Sequence, residues 1–325
     1  VPGLHYHFCT KKSGVVSLVA EYLIKRRIKL KKLDTPEAKE KSAYLKWLLV
    51  TMFGYQAFKN KKIGTIEIHE SIQAYAREIM MQSVRIAERL GWRVIHGIVD
   101  GIYVKKEGFT SQDVFLLHTT IVRETGFLLS HEGDYRWIVF LPSVVTKNHP
   151  VANHFYGVFN NGDIKCRGIE LRRKDSPQII VKMQTEMITL LKSATSKEEF
   201  IRLIPEVLEV LKKYIINLSN ASVEDLKIIK RITKTKYNND IAQCIILHQL
   251  EKKGLKIHPG QKIEYIIRDM HHKNAHKRYV LTDSFDGVFD REIYRVMMIR
   301  ATWNLLQTFE YNENDIKNYV DNNGQ

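Results

Sequence analysis

The stretch His96-Gly-Ile-Val-Asp-Gly-Ile-Tyr-Val104 sets the architecture of this chain, because it predicts two apolar strands folded about one tight turn. β-Branched and aromatic residues favour strands on both sides, and Asp100-Gly101 is a typical turn dipeptide. The hairpin therefore carries a lone carboxylate, Asp100, at its bend. Two interpretations are open at this point: a plain turn residue, or one part of a chemical site.

Composition indicates a protein with a core and a polyanionic partner. The chain has 325 residues, of which 44% are hydrophobic, so it can bury a sizeable core and form two subdomains. Lys and Arg number 51 against 36 Asp and Glu, a formal net charge of +15. A charge of this size favours association with a polyanion, although a generally basic surface would produce it too.

Cysteine usage and hydropathy indicate the cellular environment in which this protein is expected. Cys9, Cys166 and Cys244 lie far apart without paired spacing, which argues against a disulfide framework and a zinc site. This usage is typical of a reducing compartment, and we expect a cytoplasmic protein. No apolar run approaches the ~18 residues that span a bilayer, so no membrane partner is expected.

The order of predicted elements indicates an α+β fold. Residues 15–60 read as two long helices, the second capped by Asp34 or Thr35 ahead of Pro36. Residues 1–60 contain 12 Lys/Arg and 4 Asp/Glu, which is typical of a phosphate-facing surface or of a solvated basic face. A third helix precedes the hairpin, and Asn161-Gly162 predicts a second hairpin. From about Ser176 the pattern becomes mostly helical.

These elements, together with Arg167-Gly-Ile-Glu-Leu-Arg-Arg-Lys-Asp175, resemble the C-terminal part of a family B DNA polymerase. The motifs occur in that family's order over nearly the whole chain, and they look closest to the archaeal subgroup whose active-site motifs are disrupted. The resemblance implies a fingers helix pair over residues 1–60, the later part of the palm, an antiparallel sheet with packed helices, over 61–175, and a mostly helical thumb over 176–325.

The resemblance implies a site for the incoming nucleoside triphosphate on the helix pair. Lys46 and Arg26 match the family's triphosphate-binding cations, which suit phosphate oxygens. The pattern is incomplete, because Val50-Thr51 stands where the family has Asn-Ser. We therefore expect the helix pair to bind a deoxynucleoside triphosphate, with weaker selectivity for the new base pair than in the family.

The same resemblance implies a role for the hairpin in metal binding and catalysis. The family's turn reads Asp-Thr-Asp, and its carboxylates hold two Mg²⁺ ions with another Asp from an earlier strand. Here Ile98 and Val99 replace the first two residues, and Asp100 alone remains as metal ligand and catalytic residue. The earlier Asp would fall before residue 1, so any Mg²⁺ chemistry is expected to need an upstream polymerase fragment.

Other matched positions imply contacts with primer–template DNA. The palm segment and the thumb segment Arg231-Ile-Thr-Lys-Thr-Lys-Tyr237 supply them. The expected DNA-binding residues are Tyr156, Arg167, Arg172, Arg173, Lys174, Thr233, Lys234, Lys236 and Tyr237.

Two functional interpretations follow from the resemblance. In the first, the chain holds primer–template DNA in replication or repair, with a degenerate and inactive site. In the second, it is part of a split, active DNA-directed DNA polymerase, a nucleotidyltransferase completed by another chain. Loss of an acidic residue at Ile98 favours the first, and retention of Asp100, Lys46 and Arg26 supports the second. An RNA-binding module is a third class, but no motif of such modules is present.

Overall fold

The protein forms two compact units, Val1–His131 and Glu132–Gln325. The computed structural model describes residues 1–9, 11–58, 64–143, 150–234, 236–237 and 241–322. Mixed helices and small antiparallel sheets confirm the predicted α+β class. No helix in the described part of the chain combines the length and the apolar character needed to cross a bilayer.

The first unit contains four helices and one hairpin among its described residues. These are α1 (Val15–Lys31), α2 (Pro36–Gln56), α3 (Ile66–Arg89), β1 (Arg93–Ile98), β2 (Gly101–Lys105) and α4 (Ser111–Thr125). Strands β1 and β2 pair antiparallel with Ile98 opposite Gly101, as the sequence predicts. The hairpin, α3 and α4 share a small core of Ile86, Ala87, Trp92, Leu117 and Ile121.

Local sequence explains where the helices of this unit begin. Thr35 caps α2 by accepting a hydrogen bond from the Ala38 backbone N–H at 3.2 Å, and Pro36 follows at the first helical position. Thr110 and Asp113 form a capping box at the start of α4. The α1–α2 pair itself buries little: α1 has no buried residue, and many of its apolar side chains are exposed.

The second unit begins with a three-stranded antiparallel sheet of order β3–β4–β5. Its strands are β3 (Tyr135–Pro142), β4 (Pro150–Phe159) and β5 (Ile164–Arg167). The β4–β5 hairpin turns at Asn161-Gly162, where Gly162 has a φ of 88°, so this predicted turn is confirmed. A 3₁₀ turn, Glu170–Arg172, then leads out of the sheet.

Helices dominate the remainder, with a second small sheet among them. The elements are α5 (Gln178–Leu191), α6 (Lys197–Arg202), α7 (Ile204–Ile216), α8 (Val223–Leu226), β6 (Ile228–Arg231), α9 (Ala242–Lys252), β7 (Lys262–Ile267), β8 (Tyr279–Leu281), α10 (Arg291–Leu306) and α11 (Glu313–Asn322). The run Lys-Ile-Glu-Tyr-Ile-Ile at Lys262–Ile267 predicts strand β7, because it is rich in β-branched and aromatic residues. Strands β6 and β8, which flank it in antiparallel order, are not predicted by the sequence.

One apolar core runs through the second unit. Leu141, Tyr156 and Cys166 from the β3–β4–β5 sheet belong to the same buried cluster as Met187 of α5 and Leu305 of α10. Residues on both sides of position 175/176 therefore share one core. The structural units divide at 131/132, and the three-part division at 60/61 and 175/176 stays a prediction.

Candidate nucleic-acid interface and catalytic hairpin

Asp100 lies at the exposed tip of the β1–β2 hairpin. Its backbone N–H donates to the Ile98 carbonyl at 2.6 Å, across a turn in which Val99 has a φ of 52°. A β-branched residue with positive φ is a strained conformation, of the kind that persists at functional sites. The turn thus places the retained Asp100 side chain in a solvent-accessible position.

The donor set at this tip does not fit two Mg²⁺ ions. Such a pair needs several hard oxygen ligands, and Asp100 is the one carboxylate of the turn, with Ile98 and Val99 beside it. In the described part of the chain no group of three or more His, Cys, Asp or Glu side chains is placed to hold a metal ion. No catalytic step through a metal follows from these residues alone.

The predicted triphosphate ligands are both exposed on the α1–α2 pair. The Arg26 guanidinium donates to the Tyr22 hydroxyl at 3.1 Å, one turn earlier on α1. Arg27 of α1 donates from Nε to the Ser42 carbonyl of α2 at 3.2 Å. This contact shows that residues 27 and 42 lie at about the same height along the helix pair. Counting from that contact, Arg26 and Lys46 lie about one helical turn, ~5 Å, apart along the axis of the pair. The structure thus gives both cations similar levels on one helix pair.

A glycine pivot starts the predicted DNA-binding segment of the second unit. Gly168 follows β5 with a φ of 75°, and a Cβ at this position would lie 2.5 Å from the Asn153 carbonyl oxygen of β4. Only glycine combines that backbone conformation with so close an approach. The pivot turns the chain out of the sheet immediately after Arg167 and before Arg172.

A buried amide network anchors the turn that carries Arg172. Gln184 is fully buried; its Oε1 accepts from the Leu171 N–H at 2.7 Å, and its Nε2 donates to Glu170 at 2.8 Å and to the Ala301 carbonyl at 2.9 Å. The second carboxylate oxygen of Glu170 accepts from Asn304 at 2.6 Å. The Glu170–Arg172 turn is therefore held against α5 and α10.

Asp175 joins the two predicted DNA-binding segments. It accepts from Arg173 at 3.2 and 3.3 Å, and it lies 3.1 Å from the Lys230 ammonium of β6. Partial burial works against the charged form, but the hydrogen bonds from both cations outweigh it and hold the pKa of Asp175 below its usual value. Asp175 thus links segment 167–175 to Lys230, the residue that directly precedes segment 231–237.

A shallow groove of about 450 Å³ adjoins this surface, and Lys165, Arg167 and Arg172 line it. Lys165 pairs with Glu132, whereas Arg167, Arg172 and the exposed Lys174 have no ion pair with any described residue. Three cations are therefore available to an anionic ligand. Cys166, at the base of the groove, is buried, and this burial raises the pKa of its thiol to about 11.

Tyr156 differs from the other predicted DNA-binding residues. It is fully buried, and its hydroxyl donates to the Leu305 carbonyl at 2.6 Å. Burial raises the pKa of this phenol far above its ordinary value. In this structure Tyr156 ties the β3–β4–β5 sheet to α10, and its hydroxyl is inaccessible to a duplex.

The thumb-like segment folds back on itself. Thr233, Lys234 and Lys236 are exposed, and the hydroxyl of Tyr237 accepts hydrogen bonds from the backbone N–H of Thr233 at 2.8 Å and of Lys234 at 3.1 Å. Lys234 and Lys236 have no ion pair with a described residue. These two lysines extend the set of available cations along the chain from β6.

The predicted DNA residues all lie in the second unit, whereas Asp100, Arg26 and Lys46 lie in the first unit. Sequence reasoning missed Lys230, although it belongs to the same basic run as Lys234. It also missed Lys165, which directly precedes Cys166, and Gln184, for which the sequence offers no signal because its partners are distant in the chain.

Comparison with known proteins shows which proteins this chain resembles. No family model matches the chain. The fold matches the structure of the family B DNA polymerase from the hyperthermophilic archaeon Pyrobaculum calidifontis, with a TM-score of 0.60 and 22% identity over 94% of this chain and 39% of that chain. A DNA polymerase of Desulfurococcus sp. is 27% identical over 338 residues, which is 97% of this chain and 42% of that protein. Archaeal DNA polymerase homologues therefore cover 97% of the chain, and its structural neighbour is a family B polymerase.

Another relative, DNA polymerase 2 of Saccharolobus solfataricus, is 30% identical to this chain over 213 residues. That match covers 65% of the chain and 32% of the relative. The chain spans about a third to two fifths of the length of the curated relatives it matches. Its homology supports a DNA polymerase-related role.

Proposed function

We propose that this chain is the DNA-binding C-terminal portion of a family B-like polymerase, which holds primer–template DNA in replication or repair and transfers few or no nucleotides by itself. The observation that carries the proposal is the position of Asp175 between Arg173 and Lys230, because it holds the basic segment 167–175 beside the residue that leads into the basic segment 231–237. Phosphate contacts from such a surface supply most sequence-independent affinity for DNA.

The proposed contact set follows the exposed residues of that surface and leaves out two predicted residues, the buried Tyr156 and the half-buried Tyr237. It comprises Arg167, Arg172, Arg173, Lys174, Thr233, Lys234 and Lys236. Arg26 and Lys46 are proposed to meet the triphosphate of an incoming nucleotide. A cytoplasmic location, as expected from the cysteine usage, belongs to the same proposal.

The double substitution of Arg172 and Arg173 by alanine should weaken binding to a primer–template duplex about tenfold or more, because two phosphate contacts are lost. The slope of log affinity against log salt should also become less steep by about 1.8, since each contact contributes ~0.9. Fluorescence anisotropy at several salt concentrations measures both quantities.

The matched control is the double substitution of Lys197 and Arg202 by alanine. Both residues are exposed on α6, and their loss removes the same charge from the same unit. This control should keep nearly wild-type affinity. If both double substitutions weakened binding equally, net charge alone would govern binding, and the proposed DNA-binding surface would be contradicted.

The second candidate, an active split polymerase, is favoured by one specific observation: Asp100 is exposed on a strained turn, with Val99 at a φ of 52°. Retained strain of this kind points to a selected geometry. In that case another chain supplies the missing carboxylates for Mg²⁺.

Primer extension separates the two candidates. The chain alone should add no nucleotide to a labelled primer with Mg²⁺ or Mn²⁺, and Ile98→Asp alone should not restore addition, because two carboxylates still provide too few ligands for two cations. Robust extension by the purified chain, lost on Asp100→Ala, would establish the second candidate instead.

A further inference from the structure

Three hydrogen-bonding groups of one short segment converge on a single phenolic oxygen. The Tyr237 hydroxyl lies 2.8 Å from the Thr233 backbone nitrogen, 3.1 Å from the Lys234 backbone nitrogen and 3.3 Å from Thr233 Oγ1. Successive backbone N–H groups that point at one place form a concave anion-binding nest. Here a neutral side-chain oxygen of the same segment fills that nest.

The surroundings of the nest are those of an anion site. Lys234 contributes both a backbone donor and an exposed ammonium, and Lys236 adds a second one. Neither lysine has an ion pair with a described residue. Stretch 227–237 contains no acidic residue, so no carboxylate of that stretch competes for the donors.

The oxygen that fills the nest is itself pulled toward the anionic form. The hydrogen bond with the Thr233 hydroxyl, aided by the two backbone N–H groups and Lys234, lowers the pKa of Tyr237 against a smaller opposing effect of burial. The donors therefore favour a negatively charged oxygen in this position over a neutral one.

We propose that this nest, formed by Thr233 and Lys234, is a binding site for a phosphodiester oxygen of DNA, and that the Tyr237 hydroxyl is an internal placeholder that a phosphate displaces. The inference rests on the proposed DNA-binding function and adds a competition between the Tyr237 hydroxyl and a DNA phosphate for the same backbone donors. A phosphate oxygen carries a charge and makes stronger, charge-assisted bonds to the same donors. The Tyr237 ring packs against the core of the unit, so opening separates the Thr233–Lys234 backbone from the hydroxyl.

The test is Tyr237→Phe in the full chain, which removes the competing oxygen and keeps the ring. We expect binding to a fluorescein-labelled primer–template duplex to become about fivefold tighter, since the hydrogen bonds that DNA must replace in the wild type are absent. Tyr319→Phe is the control: Tyr319 also donates its hydroxyl to a side chain of the same unit, Glu209, at 2.7 Å, and its loss should leave affinity unchanged. Unchanged or weaker binding by Tyr237→Phe would contradict the proposed role of the Tyr237 hydroxyl as a placeholder.

A second measurement judges the nest without DNA. In protein labelled with ¹⁵N-lysine, inorganic phosphate should shift the Lys234 amide resonance at lower concentration in Tyr237→Phe than in the wild type, while the Lys197 resonance stays in place. Equal responses of the two proteins would overturn the inference. A wild type that binds no duplex would overturn the proposed function instead, and the phosphate titration would still decide whether the nest takes an anion.

Discussion

Replacement of Gln184 by alanine should lower the free energy of unfolding by about 3–5 kcal/mol. The change removes three hydrogen bonds of a fully buried side chain, to the Leu171 N–H, to Glu170 and to the Ala301 carbonyl. Each buried polar group left without a partner costs about 1–3 kcal/mol, with more for a charged one, and the shortened side chain leaves a cavity. Denaturant unfolding followed by circular dichroism measures the loss.

The control for this change lies on the same helix. Gln178 is exposed at the start of α5, and Gln178→Ala should change stability by less than about 0.5 kcal/mol. Should Gln184→Ala prove equally mild, the amide network would contribute nothing to holding the Glu170–Arg172 turn. At temperatures where Gln184→Ala remains folded, its affinity for DNA should also fall, because Arg172 lies on that turn.

Gly168→Ala should lower stability by about 3 kcal/mol or more. The added Cβ would lie 2.5 Å from the Asn153 carbonyl oxygen and 3.2 Å from the His154 Cα, both backbone atoms of β4, in a residue whose φ is 75°. Left-handed backbone strain accounts for about 1–2 kcal/mol of the loss, and the clash adds the remainder. Thermal and denaturant unfolding measure the total.

Gly254→Ala separates the two contributions. Gly254 has nearly the same φ, 77°, but a Cβ there meets nothing within 4 Å, so the variant should show the conformational cost of about 1–2 kcal/mol alone. A Gly168→Ala variant no worse than Gly254→Ala would mean that β4 yields without cost and that the pivot after β5 is not tightly packed.

Features encoded by neighbouring residues were predictable from the sequence. The 96–104 hairpin and the Asn161-Gly162 turn are confirmed, and of the two candidate caps ahead of Pro36, Asp34 and Thr35, the structure uses Thr35. In all three cases the deciding interaction spans a few residues, so composition and spacing are sufficient. Strand β7 was predictable for the same reason, from its run of β-branched and aromatic residues.

Features that depend on distant partners were not predictable. Strands β6 and β8 form because β7 pairs with both, and four or three residues alone carry little signal. The contact between Asp175 and Lys230 joins residues 55 positions apart, and Tyr156 reaches Leu305 across the core. For Tyr156 the matched motif indicated a DNA contact, whereas the tertiary packing makes it a buried tie between sheet and helix.

The bridge through Asp175 also has an entropic consequence. Arg and Lys side chains each carry about 2 kcal/mol of rotamer entropy, which a mobile side chain loses when it meets a phosphate. Asp175 orders Arg173 and Lys230 in the free protein, so this loss is incurred on folding and not on association. Arg172 and Lys174, which have no such restraint from a described carboxylate, stay free to follow phosphates of varying spacing. In the proposed DNA complex, restrained cations would orient a duplex and adaptable ones would tolerate its local shape.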